Sequence, residues 1–101
     1  QNTKFVLAEC ATEVEVARVY VDHCLELLDR GELTVADAAK AKLHATEMAA
    51  RVIDRCLQLH GGYGYITEYP IARLYTDTRV SRIYGGTSEV MKTIIAKSLG
   101  L

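Results

Sequence analysis

Long apolar runs, blocks of like charge and closely paired cysteines are all missing from this chain of 101 residues. The unbroken apolar stretches are far too short to cross a bilayer, so no membrane insertion is expected. Twelve basic residues stand against thirteen acidic ones, a formal charge of −1 with no cluster of either sign. That removes the electrostatic footprint of a nucleic-acid or anionic-lipid binder. Proline occurs once, half of the residues are apolar and a quarter are charged, a balance that favours a soluble and mostly helical class. The chain has room for one domain with a single core and a thin margin without partners.

The three cysteines, Cys10, Cys24 and Cys56, are odd in number and widely spaced, with no CxxC and no histidine pair to complete a metal site. Each lies among alanine, valine and leucine at helical spacing and reads as a small buried hydrophobe in a reducing compartment. No signal-peptide pattern is visible. The sequence opens at Gln1 without Met and enters a helical pattern at once, so a fragment of a longer chain is expected.

What the sequence does have is helical periodicity. Leu7, Ala11, Val14, Ala17, Val21, Cys24, Leu25 and Leu28 step by three or four residues, which predicts an amphipathic helix over roughly residues 3 to 29. Gly31 follows as a left-handed cap, and Thr34 with Asp37 forms a carboxylate version of the capping box. A second helix is predicted from about Val35 to His60, with Ala38, Ala41, Ala45, Met48, Ala49, Val52, Cys56 and Leu59 on one side. "GGYGY", residues 61 to 65, stops it, because two successive glycines cost about 2 kcal/mol inside a helix and supply the positive φ of a cap. Thr67 is the expected cap of a third helix with Pro70 in its first turn, running to about Ile83. "YGGTSE", residues 84 to 89, interrupts the pattern, and Val90, Met91, Ile94, Ile95 and Leu99 mark a last helix ending near Gly100. Short links between four helices, with no strand alternation, predict an all-α, antiparallel up-and-down four-helix bundle.

Two glycine-rich breaks at helix boundaries are the unusual features. Glycine lets another group approach the backbone, and the free N–H groups opening a helix suit a phosphate or a carbonyl oxygen that gains charge. Gly85, Gly86, Thr87 and Ser88 open the last helix in this way. The remaining polar residues read as structural. His23, His44 and His60 have no nucleophile at a suggestive spacing, and Glu9, Glu13 and Glu15 look like a solvated helix face. Tyr63, Tyr65, Tyr69, Tyr75 and Tyr84 suit the seams between helices, with stacking on a ligand ring as the functional alternative for all five. Arg73, Asp77, Arg79 and Arg82 form a charge ladder.

Gln58, Gly61-Gly62, Gly64-Tyr65, Glu68, Arg73 and Asp77 resemble, in identity and spacing, the C-terminal pattern of the acyl-CoA dehydrogenases. "RVSRIYGGTSEVMKTIIAKSL", residues 79 to 99, is similar to the segment that follows it in that family, and the two long helices match the family's helical C-terminal domain. The resemblance covers essentially the whole chain and implies a flavoenzyme that oxidises an acyl-CoA thioester across its α and β carbons. A carboxylate takes the α proton, FAD accepts a hydride from the β carbon, and electrons leave through an electron-transferring flavoprotein.

By the same resemblance, Gln58, Leu59, His60, Gly61 and Gly62 lie against the FAD of a neighbouring subunit in a homo-oligomer, and Thr87 and Glu89 touch the flavin nucleotide. Tyr84, Gly85 and Gly86 meet the substrate, with the Gly85 N–H holding the thioester carbonyl. Many family members carry the catalytic glutamate where this chain has Gly85. Others, resembling long-chain and isovaleryl-type dehydrogenases, have glycine there and take the base from an earlier helix, so none of the residues here is expected to be the base. Several relatives have glutamine in place of Glu89. The implied setting is the cytoplasm in a bacterium or the mitochondrial matrix in a eukaryote. Two other readings share the pattern: a flavin monooxygenase or oxidase of the same fold, and a non-catalytic helical module. On the fragment alone, a large apolar face is expected to stay exposed.

Overall fold

The computed structural model describes every residue from Gln1 to Leu101. Helix α1 spans Asn2–Asp29 and α2 spans Val35–His60. Between them Gly31, at φ +68°, lets the chain reverse. Its N–H donates to the Leu28 carbonyl and that of Glu32 to Leu27, the paired bonds that satisfy the last carbonyls of a helix. Thr34 then caps α2, accepting from the Asp37 N–H at 3.0 Å while its own N–H donates to the Asp37 carboxylate at 3.2 Å. Both ends of this link behave as the sequence predicts.

Gly61, at φ +61°, ends α2 and donates to the Gln58 carbonyl. "GGYGY" does more than stop the helix, since residues Gly61–Tyr65 form a turn of 3₁₀ helix. Helix α3 spans Pro70–Thr78, and the expected cap at Thr67 is wrong. Pro70 holds Tyr69 extended, at φ −92° and ψ 133°, because the proline ring clashes with helical backbone in the residue before it. The helix therefore starts at Pro70, too late for the Thr67 hydroxyl to reach its free N–H groups. Thr67 instead offers its carbonyl to Arg73 at 2.5 Å. The expected run to Ile83 divides: α3 ends at Thr78 and residues Arg79–Arg82 tighten into 3₁₀ helix. Helix α4 spans Ser88–Ser98, with the Thr87 hydroxyl accepting from the Val90 N–H at 3.2 Å.

The fold is all-α, four helices with α2 at its centre and the other three packed on it. Helix α1 covers one side of α2. Arg82 and Ser88 reach Glu47, while Ile95 lies by Lys40 and Leu43, so the chain from α3 through α4 runs back down the other side of α2. The result is elongated, 46 × 26 × 25 Å.

Cys10, Ala17, Cys24, Ala39, Met48, Ala72 and Met91 make the core, and no large side chain is fully enclosed. Small side chains let helices approach closely, and Cys10 and Cys24 are buried as expected, whereas Cys56 is only half-buried. Phe5, Val16, Val19, Leu25 and Leu28 leave a long apolar stretch of α1 exposed. Glu9 and Glu13 do not simply face water: they pair across the helix seam with Arg55 and Arg51. No helix is long and apolar enough to cross a membrane.

Candidate functional site

The loop from Tyr84 to Thr87 is built by two glycines in backbone conformations that other residues rarely adopt, Gly85 at φ +63° and Gly86 at φ +104°. At Gly86 a Cβ would also stand 2.6 Å from the Met91 methyl, so the end of that flexible side chain would have to shift. The N–H groups of Gly85 and Gly86 have no backbone acceptor. Thr87 caps α4 beside them, so the loop presents amide donors next to the positive end of a helix.

Three side chains that the sequence reading did not single out for the site hold this loop. Lys42, on α2, donates from Nζ to the Tyr84 carbonyl at 2.5 Å and to the Gly86 carbonyl. Glu47, further along α2, accepts from the Ser88 hydroxyl at 2.6 Å and from Arg82 at 3.1 Å. The Ser88 hydrogen bond holds the Glu47 carboxyl below its ordinary pKa; burial opposes this and Arg82 assists it. In the sequence Arg82 reads only as a rung of a charge ladder. Neither Lys42 nor Glu47 carried a sequence signal, because their partners lie 35 to 44 residues away.

Thr87 and Glu89 share a cleft of about 130 Å³ with Arg79, Arg82, Ser88 and Glu47. Tyr84 is well exposed beside it. The chain has no group of His, Cys, Asp and Glu residues that could hold a metal ion.

The other predicted segment stands apart. From Glu47 to Gln58 along α2 is about 16 Å, and from Lys42 to His60 about 27 Å, at the helical rise per residue. Gln58 and His60 are exposed and Leu59 is half-buried. The His60 ring turns back on its own helix, Nδ1 lying 2.7 Å from the Cys56 carbonyl oxygen.

The glycines of this turn serve different ends. Gly61 needs its positive φ, and Gly64 is buried so tightly that a Cβ would stand 2.6 Å from the Leu57 carbonyl oxygen. Gly62 has neither constraint, and open space lies where its Cβ would be. Nothing inside the chain requires glycine at 62, and its bare backbone faces outward, which fits a flat group lying on the turn.

Residues 1–100 match the family model described as acyl-CoA dehydrogenase, C-terminal domain. The chain belongs to the acyl-CoA dehydrogenase family. It is 48% identical over 99 residues to the mitochondrial long-chain specific acyl-CoA dehydrogenase of Rattus norvegicus, covering 98% of this chain and 23% of that protein. Among solved structures, the acyl-CoA dehydrogenase from Geobacillus kaustophilus superposes with a TM-score of 0.97 at 51% identity, over 100% of this chain and 27% of that one. A chain in the structure described as the electron transferring flavoprotein of Acidaminococcus fermentans gives a TM-score of 0.93 at 35% identity, over 98% of this chain and 26% of that one. This acyl-CoA dehydrogenase domain thus spans about a quarter of the length of these relatives. Its family and fold are those the two glycine motifs imply.

Proposed function

We propose that this chain is the C-terminal piece of a flavin-dependent acyl-CoA dehydrogenase, in which the Tyr84–Thr87 loop receives the substrate thioester and the Gln58–Gly62 turn borders FAD of a neighbouring subunit. The observation that carries this reading is the loop itself. Gly85 and Gly86 present unpaired N–H groups at the start of α4, and such donors stabilise negative charge as it develops on a carbonyl oxygen. Removing the α proton of a thioester places charge on that oxygen, so a donor here lowers the barrier to proton loss.

Gly85 cannot take the proton, and the unpaired carboxylate of Glu89, on the first turn of α4, is assigned to the nucleotide by resemblance. The base therefore comes from a residue outside this chain. When bound, FAD supplies the hydride acceptor for the β carbon. Gln58, Leu59, His60, Gly61 and Gly62 would border it with the exposed end of α2, and Thr87 and Glu89 would meet its nucleotide from the cleft they share with Arg79 and Arg82. The distance along α2 between the two segments suits contact with flavins of different subunits in a homo-oligomer. An electron-transferring flavoprotein would collect the electrons. In a bacterium the assembly would work in the cytoplasm, and in a eukaryote in the mitochondrial matrix.

The test is the visible spectrum of the full-length parent, purified without added cofactor and titrated anaerobically with acyl-CoA thioesters of several lengths. Bound flavin that bleaches supports the dehydrogenase. Flavin that stays oxidised with every thioester would sink it in favour of the oxygenase reading, and a protein that cannot be loaded with FAD would leave a helical module.

A further inference from the structure

Lys42 makes no ion pair. Its ammonium instead bridges the carbonyls of Tyr84 and Gly86, which flank Gly85 in sequence, and lies 3.7 Å from the place a Cβ on Gly85 would occupy. A long, half-buried side chain fixed this way loses rotamer freedom, and the two bonds cross from α2 to a loop more than 40 residues away.

The consequence for the loop follows from peptide geometry. The chain has no cis peptide bond, and in a planar trans peptide the C=O and N–H point in opposite directions. Holding the Tyr84 carbonyl on Lys42 therefore turns the Gly85 N–H away from α2. Holding the Gly86 carbonyl does the same for the Thr87 N–H. A cation on the oxygen also draws electron density from the peptide and makes its N–H a stronger donor. Glu47 fixes the flanks of the same loop through Ser88 and Arg82, so Lys42 acts on its apex.

We propose that Lys42 is a positioning residue for the reaction: it aims and polarises the Gly85 amide that binds the substrate's thioester oxygen. This rests on the function proposed above and adds a residue that meets neither substrate nor flavin.

The test uses the full-length parent with Lys42→Met, which keeps the length of the stem and removes the donors, and Lys42→Arg, which restores them. Four quantities are read: FAD content, KM, kcat, and the carbonyl stretching frequency of bound acyl-CoA labelled with carbon-13 at the thioester. The Met variant is expected to keep its FAD and to change KM little. Its kcat falls by roughly tenfold to a hundredfold, its carbonyl frequency returns toward that of free thioester, and the Arg variant recovers both.

A Met variant with wild-type kcat and carbonyl frequency would overturn the proposal, as would a loss of kcat with the frequency unchanged. If the Met variant does not fold, the Arg variant decides: a folded, flavin-loaded Arg protein must retain the lowered frequency, and losing it overturns the proposal. A wild-type parent whose flavin ignores every acyl-CoA would instead remove the proposed function, and this inference with it.

Discussion

Gly64 lies so close to Leu57 that a single added carbon would stand 2.6 Å from the Leu57 carbonyl oxygen and 3.0 Å from the Leu57 Cγ. The oxygen belongs to the backbone of α2 and cannot move aside without disturbing the helix. Gly64→Ala in the full-length parent is expected to lower stability by about 1–3 kcal/mol, read as a shift in the denaturant midpoint. An unchanged midpoint would mean that the turn relaxes freely.

Gly62, two residues earlier, gives the opposite expectation. Its φ is ordinary and nothing lies near its absent side chain, so Gly62→Val should change stability by no more than about 0.5 kcal/mol. If flavin lies against this turn, the same variant purifies with little FAD. Normal flavin content would remove the turn from the cofactor site.

Ser88 is almost wholly buried and bonds Glu47 at 2.6 Å. Ser88→Ala leaves one carboxylate oxygen without that donor and is expected to cost about 1 kcal/mol, the common net value of such a bond. Because the bond anchors the start of α4, KM for acyl-CoA should rise as well. Kinetics and a melt on the same preparation would show the two effects together, and a melt indistinguishable from wild type would contradict the anchoring role.

The pH dependence of stability follows from Glu47 and Asp37. Both carboxyls sit below their ordinary values, Glu47 through Ser88 and Asp37 through Thr34. The unfolded chain therefore binds protons first as pH falls. The stability these groups contribute is complete above their unfolded values and is lost as pH drops through the lowered ones. Melting temperature should begin to fall below about pH 5, and less steeply in Glu47→Gln. Equal slopes would show that Glu47 is not linked to folding.

The Cys10 thiol is pushed up first by burial and then by the neighbouring Cys56. A thiol in that state carries little thiolate at neutral pH and reacts slowly. Alkylation with iodoacetamide, followed by mass analysis of peptides, should leave Cys10 unmodified in folded protein and modify it quickly in denaturant. Rapid labelling of the folded protein would contradict its place in the core.

The helices were legible because their signals are local. Gly31, the Thr34–Asp37 pair and Gly100 terminate or start helices through atoms a few residues apart, and the structure uses each in that way. Thr67 is a good capping residue by type, yet the restriction that Pro70 places on Tyr69 keeps it out of the cap position. The division of the third helix at Thr78 left no mark in the spacing of apolar residues. At the site, the glycines could be seen in sequence, since their conformational freedom is a property of one residue. Lys42, Glu47 and Arg82 could not, because on a helix a lone lysine or glutamate looks the same whether it meets water or a loop folded against it from afar.

The small side chains that make up the interior have a consequence for the life of the chain in a cell. With cysteine, alanine and methionine inside, and Phe5, Val16, Val19, Leu25 and Leu28 outside, much of the apolar surface stays in contact with water until something covers it. Whatever docks on that surface stabilises the folded state by the free energy of its docking. On the function proposed above, that cover includes the rest of the full-length polypeptide, so this domain holds its fold together with the segments that pack on it.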